Sequence, residues 1–304
     1  MINLLNYIDD MKICFKDVYF MVMYYSFVFA ATVLFALQFL FNQKFESVRG
    51  SDLKSALEFT LYKNSIIVVM MLIISGFKII VTPFSVLLSV VYAVACILMT
   101  YFSLKAFAAA NLSVYSVFSM LGGMLLPFLL GVVFYSEKLT TFKIVCCVLI
   151  VVSVLLNIKV GKQSKKAFLY YMAVFVLNGS VGVISTIHQN SDLPHTDSTG
   201  FMFLSSLAGM VTAAVWMLTK YKKISLIKGK ALLYASGYGI FNGVGNWLLL
   251  ISLVHLPASV QYPLVTGGVM VFSTIISMIR KEKLTVTDYI AAAISFIASV
   301  LMAF

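Results

Sequence analysis

Charge is scarce in this chain. Charged side chains make up 11% of its 304 residues, 22 basic and 11 acidic, against about a quarter in an average soluble domain. So few could not cover the surface of a water-soluble fold of this length, and the 62% hydrophobic share puts the chain in a bilayer. Disorder is excluded by the same composition, because 25 Phe, 16 Tyr and long aliphatic runs are its opposite. The four cysteines (Cys14, Cys96, Cys146, Cys147) show no metal spacing, and the last three lie in apolar runs, where a thiol serves packing. His188, His195 and His255 show no metal or nucleophile–base spacing, and Asp288 is the one aspartate inside an apolar window. Catalysis, a metal and a cofactor therefore have no foothold, and no nucleotide-binding loop is present. The net charge of +11 does not indicate nucleic acid, since the lysines cluster between apolar runs, at 159–166 and 220–230, as loops beside anionic headgroups do.

A helix needs about 20 apolar residues to cross a bilayer. Ten such windows occur: 18–41, 57–76, 84–104, 112–135, 144–158, 167–188, 199–219, 231–253, 258–279 and 286–304. Residues 1–17 mix Asp9, Asp10 and Asp17 with Lys12 and Lys16 and read as a tail or interfacial lead-in, not a cleavable export signal. The expected fold is all-α, a polytopic membrane protein of ten transmembrane helices.

Within it the sequence repeats. Gly122-Gly123 and Glu137-Lys138-Leu139-Thr140 recur as Gly267-Gly268 and Glu282-Lys283-Leu284-Thr285, each 145 residues later. Upstream, Tyr24-Tyr25, Val28-Phe29 and Gln43 recur as Tyr170-Tyr171, Val174-Phe175 and Gln189, shifted by 146. This divides the chain into a first unit at 18–158 and a second at 167–304, five windows each. An odd number of crossings returns the chain on the opposite face, so the second unit is expected to enter inverted. Inverted repeats place a substrate site near mid-membrane between the halves and suit alternating access. The plainer alternative is duplication for stability alone.

At these residues a family becomes visible. The segment Leu112 to Leu156, with Glu137-Lys138-Leu139-Thr140 between two apolar windows, resembles the EamA-type repeat of the drug/metabolite transporter superfamily. Gln261-Tyr262-Pro263-Leu264 through Glu282-Lys283-Leu284-Thr285 is similar to its second copy. The resemblance implies a ten-helix carrier in the cell membrane moving small metabolites, amino acids or drugs, often outward. Two departures matter. Gly122-Gly123 and Gly267-Gly268 stand where the family often has Pro, which implies straighter and more closely packed fourth and ninth helices. The window 18–41 lacks the carboxylate with which small multidrug exporters of the superfamily bind protons and cations, so a polycationic drug is not the implied cargo.

Polar residues inside apolar windows are costly and usually face inward. Asn242 and Asn246 lie four apart on one helical face, with Gly239 and Gly243 on the same stripe; they suit a cavity wall or a helix–helix seam equally. Gln261, Tyr262 and Thr266 flank Pro263, whose kink frees carbonyls for a ligand. Their first-half counterparts are Ser116, Val117 and Leu121, an unequal set that suits an asymmetric ligand. Tyr92 and Asn178 are further wall candidates, as is Lys63, which either pairs with a substrate carboxylate or sends its ammonium to the headgroups. His188 reads as interfacial or as a proton relay. Glu137 and Glu282, beside lysine in connecting turns, read as structural groups at a helix start.

The expected partners are a small-molecule substrate and the lipid bilayer, not nucleic acid. A coupling ion, proton or sodium, and a monomer or homodimer are left open. Orientation is contested: the side shared by the termini carries five basic residues and the other sixteen, which puts that other side in the cytoplasm, whereas the resemblance implies cytoplasmic termini. A membrane binding or assembly protein without flux is the competing functional class.

Overall fold

The computed structural model describes residues 2–108, 112–134, 140–160, 165–253, 256 and 258–301. Side chains within these are described except at 2–20, 131, 132, 143, 147, 150, 151, 154, 155, 157–160, 165, 250, 253, 258–263 and 299. Among the described residues there are ten helices and no strand: α1 (Ile2–Arg49), α2 (Leu53–Ile74), α3 (Pro83–Phe107), α4 (Leu112–Phe134), α5 (Thr141–Val160), α6 (Lys165–Gln189), α7 (Ser198–Tyr221), α8 (Gly229–Leu253), α9 (Ala258–Ile279) and α10 (Val286–Leu301). Six of them, α1–α4, α6 and α7, contain stretches long and apolar enough to cross a bilayer by length and composition; α9 and α10 hold shorter apolar stretches. The segment expected as a tail is helical from Ile2 and continuous with α1. No Gly or Pro occurs before Gly50, so nothing in the chain stops the helix earlier.

Local chemistry sets the other boundaries. Gly50, at φ +80°, turns the chain out of α1, a backbone region that favours glycine. Asp52 then caps α2, accepting the Ser55 N–H at 2.8 Å. Burial pushes the Asp52 carboxyl up, but the Ser55 hydroxyl and N–H and the Lys54 ammonium outweigh it and hold it below its ordinary value. Thr82 caps α3 with Pro83 in its first turn, where a missing N–H costs nothing. Asp197 caps α7 by accepting the Gly200 N–H at 2.8 Å.

Small and hydroxylic side chains mark much of the inward face of the helices, beside larger apolar ones. On α3, Ser85, Ser89, Ala93, Thr100 and Ser103 are buried, while Leu87, Val90, Val94 and Leu98 are exposed. Both sets follow helical spacing. Aliphatic side chains outside and small or hydroxylic ones inside are what lipid selects, because close packing and hydrogen bonding replace the hydrophobic drive between helices.

The chief interfaces join one half of the chain to the other. α1 packs on α8 and α9, and α6 packs correspondingly on α3 and α4. Likewise α3 meets α7 as α8 meets α2, while α2–α7, α4–α9 and α5–α10 pair each helix with its own counterpart. These pairings between the halves are thus preserved when the first five helices are exchanged for the last five.

Glycines set the closest approaches. A Cβ at Gly122 of α4 would lie 2.0 Å from the Phe175 carbonyl oxygen of α6, which bears out the close packing expected there. At Gly123 it would meet the Asn178 side chain at 2.7 Å, and at the counterpart Gly268 it would meet Thr32 at 2.5 Å. Thr32 and Asn178 are themselves 146 residues apart, so the repeat reappears as a contact. α4 also carries Pro127, which packs beneath Gly182 of α6.

The Glu282 carboxylate accepts the N–H of Leu112, the first residue of α4, at 3.2 Å, and pairs with Arg280 at 2.8 Å. A glutamate in the second half thus caps a helix of the first half: its role is structural, as expected, but at the start of α4 and not of the next helix, α10, where it was expected. Glu137 lies outside the described residues.

Candidate functional site

Between the halves lies a cavity of about 270 Å³, lined by side chains of α1–α4 and α6–α9. Along α3 it extends from Tyr92 to Ser103, about 16 Å at 1.5 Å per residue. Its volume is a little below the roughly 300–1,000 Å³ usual for drug-sized ligands, so it fits a small metabolite.

The lining mixes apolar side chains with polar ones and is almost uncharged among the described residues. Amides come from α1, α2, α6 and α8, and Tyr92, Tyr115 and Tyr238 face in from α3, α4 and α8. Several of these groups bond across helices. Asn242 Nδ2 donates to Gln38 Oε1 at 2.7 Å, and Asn246 Nδ2 donates to the Asn242 carbonyl at 2.8 Å. Asn178 Nδ2 donates to the Ser119 carbonyl at 2.6 Å, tying α6 to α4. The Tyr115 and Ser103 hydroxyls lie 2.8 Å apart, joining α4 to α3.

Among the described residues Lys63 is the cavity's lysine. It stands at the middle of α2, about 15 Å from either end, too deep for its stem to carry the ammonium to the headgroups. That alternative is overturned: Lys63 is 8% exposed and lines the cavity. Its Nζ donates to Thr100 Oγ1 at 2.8 Å, and the Thr100 hydroxyl spends its own proton on the Cys96 carbonyl, also at 2.8 Å. The ammonium also lies 5.0 Å from the Tyr238 ring and 5.3 Å from the Phe59 ring, within cation–π range. No carboxylate lines the cavity among the described residues, and none pairs with Lys63. The nearby acid on α2, Glu58, is occupied by Arg49, whose Nε donates to it at 2.9 Å.

His188, one residue from the end of α6, is buried in protein. Its ring lies against Phe201 at 4.0 Å, its side chain is 1% exposed, and its Nε2 is 2.9 Å from Ser85 Oγ. The same Ser85 oxygen accepts the Thr196 N–H at 3.0 Å. One hydroxyl therefore joins the start of α3, the end of α6 and the approach to α7 at one end of the cavity.

Of the residues expected from sequence, Tyr92, Asn178, Asn242, Asn246, Thr266 and Lys63 come together here. Ser116 does not: it is fully buried, donates to the Ser113 carbonyl at 2.8 Å and is absent from the lining. It is a satisfied packing hydroxyl. The side chains of Gln261 and Tyr262 lie outside the described residues. The glycine stripe on α8 divides from the asparagines: Gly239 and Gly243 press on Lys63, Ile66 and Met70 of α2, while Asn242 and Asn246 face the cavity. Wall and seam are both present.

Gln38, Asn42, Thr100 and Tyr238 also line the cavity and were not anticipated. The 146-residue shift was the available signal. It pairs Tyr92 with Tyr238, Cys96 with Asn242, Thr100 with Asn246 and Asn42 with His188, and all eight line the cavity. Lys63 breaks the pattern, because its counterpart is Gly209.

Comparison with known proteins bears on the whole arrangement. Residues 165–304 match the EamA-like transporter family. A solved structure, titled only as the crystal structure of a protein, superposes with a TM-score of 0.63 at 14% identity, covering 92% of this chain and 96% of its own. At that identity the likeness is one of fold. No curated protein matches the chain.

Proposed function

We propose, from the match of residues 165–304 to the EamA-like transporter family, that the chain is a secondary transporter of small metabolites or amino acids, working outward by alternating access. The observation that carries this reading is the cavity between the halves, set with amides, hydroxyls and one lysine and lined by the same four helices of each. A cavity built from exchange-related walls can open to either side when the halves exchange conformations. We take the chain to comprise ten spans in two inverted five-helix units, residues 18–158 and 167–304, in the cell membrane.

One feature supports inversion: the counterpart helices α4 and α9 meet with the start of one beside the end of the other, since Leu112 donates to Glu282 just beyond α9 and the Ser113 and Thr274 hydroxyls lie 2.8 Å apart. With no nucleotide-binding loop in the sequence, the energy comes from a solute or ion gradient.

The test is tracer flux of small amino and organic acids into proteoliposomes holding the purified chain. Asn246→Ala, at equal protein level, is expected to reduce flux at least severalfold, because it removes an amide from the wall. Absence of flux for the native chain, across solutes that bind it, would favour a binding or assembly role instead.

A further inference from the structure

A buried ammonium without a carboxylate is an expensive thing to keep. Desolvating a cation in a membrane protein costs several kcal/mol unless partners replace its water. For Lys63 those partners are one hydroxyl and two ring faces, which are dipoles and quadrupoles, not a counter-charge. The cavity it lines contains no acid among the described residues, and the first apolar stretch, 18–41, has none in sequence. The positive charge is also confined to one half, since the repeat places Gly209 where a second lysine would stand.

We infer that the cavity binds solutes carrying a single carboxylate, whose oxygens take Lys63 Nζ as counter-ion. Thr100 positions the ammonium, because its hydroxyl proton is already held by the Cys96 carbonyl and only its lone pair faces the nitrogen. That leaves two N–H bonds of the ammonium for a ligand. An acid entering as its anion completes the charge balance that the protein leaves open, whereas a cation would add a like charge and a neutral amide would leave the lysine uncompensated.

The remaining lining sets what such an acid can carry. Tyr92, Tyr115 and Tyr238 offer ring faces and hydroxyls. Asn42 lines the same cavity, is 3% exposed, and has an Oδ1 with no hydrogen-bond partner. A solute with a donor group, amine or hydroxyl, beyond its carboxylate would satisfy that oxygen. The opposing amides Asn242 and Asn246 stand where the lysine-bearing side has Cys96 and Thr100, so the two walls differ chemically and fix the solute's direction. The inference rests on this cavity being the solute site of the transporter proposed above.

The experiment uses the full purified chain in detergent and reads its thermal unfolding midpoint against matched sets: acetate, butyrate and phenylacetate, each with its amide and its amine. At least one acid is expected to raise the midpoint of the native chain, while its amide and amine leave it unmoved. Lys63→Met should weaken binding of that acid by roughly tenfold to a hundredfold, the loss of one charge-assisted hydrogen bond. Lys63→Arg should recover part of it. Lys63→Met itself should fold at least as stably as the native chain without ligand, because methionine removes a buried charge. The inference is overturned if no acid shifts the midpoint, if an amide or amine binds as well as its acid, or if Lys63→Met binds the acid undiminished. A companion flux assay separates the two claims. Acid binding without flux sinks transport and keeps the anion site; flux of amides or amines equal to that of acids keeps transport and sinks the anion site.

Discussion

Replacing Gly122 by alanine tests the tightest contact in the fold. The added methyl would lie 2.0 Å from the Phe175 carbonyl oxygen, 2.6 Å from its carbon and 2.7 Å from its Cα. All three are backbone atoms of α6, so no side chain can swing aside. α4 and α6 must part by more than an ångström before the methyl reaches ordinary van der Waals contact. Overpacking of this kind costs about 1–3 kcal/mol, and separation also strains the Asn178–Ser119 bond, worth about 1 kcal/mol. Better helix propensity returns roughly 0.5–1 kcal/mol. The net loss is about 1–3.5 kcal/mol, or roughly 2–14 °C in unfolding midpoint at about 2–4 °C per kcal/mol. Gly50→Ala is the contrast, with nothing within 4 Å of its Cβ but a φ of +80°, and should cost only about 1–2 kcal/mol from backbone strain. Intrinsic fluorescence of the purified variants in detergent during heating measures both. A Gly122→Ala midpoint at or above the native one would refute the close α4–α6 approach.

Two further outcomes concern helix starts. Asp52→Ala removes the α2 cap and should cost about 1 kcal/mol near neutral pH. The Asp52 carboxyl is held below its ordinary value in the fold, so its contribution is present above the unfolded pKa of about 3.9 and fades as pH falls through the lower folded value. The midpoint difference between variant and native chain should therefore narrow in acid, and a difference constant with pH would refute the cap's ionic character. Glu282→Ala should leave the Leu112 N–H without its acceptor and speed hydrogen exchange in the first turn of α4 severalfold, while Glu282→Gln, which keeps an acceptor oxygen, should do so less. Unchanged exchange in both would show that another group holds that helix start.

The helices were legible because lipid-facing surfaces leave long aliphatic runs, and runs such as Val86 to Leu98 fix an element's existence whatever packs behind it. Boundaries were less so: α1 extends to Arg49 through Asn42, Gln43, Lys44 and Glu46, because the absence of a helix breaker counts for more than polarity. In the cavity, Asn178, Asn242 and Asn246 could be read directly, since an amide in an apolar run needs an internal partner. Thr100 and Tyr238 could not, because a threonine or tyrosine in such a run is commonplace until the repeat offset ties it to Asn246 or Tyr92. The lysine was ambiguous for a geometric reason. Whether an ammonium escapes to the headgroups depends on its depth, and depth became measurable only when Leu53 and Ile74 were fixed as the ends of α2.

The mismatch of Lys63 with Gly209 reaches beyond recognition. Two identical halves would trade places at no energetic cost, and the empty molecule would rest equally on either side of its cycle. In the transporter proposed above, a charge carried by one half alone makes the two orientations of the unloaded protein unequal in energy, so the empty molecule favours one of them. An arriving acid reduces that bias; the gradient still sets the direction of net travel, while the single unmatched side chain sets how the empty sites divide between the two faces.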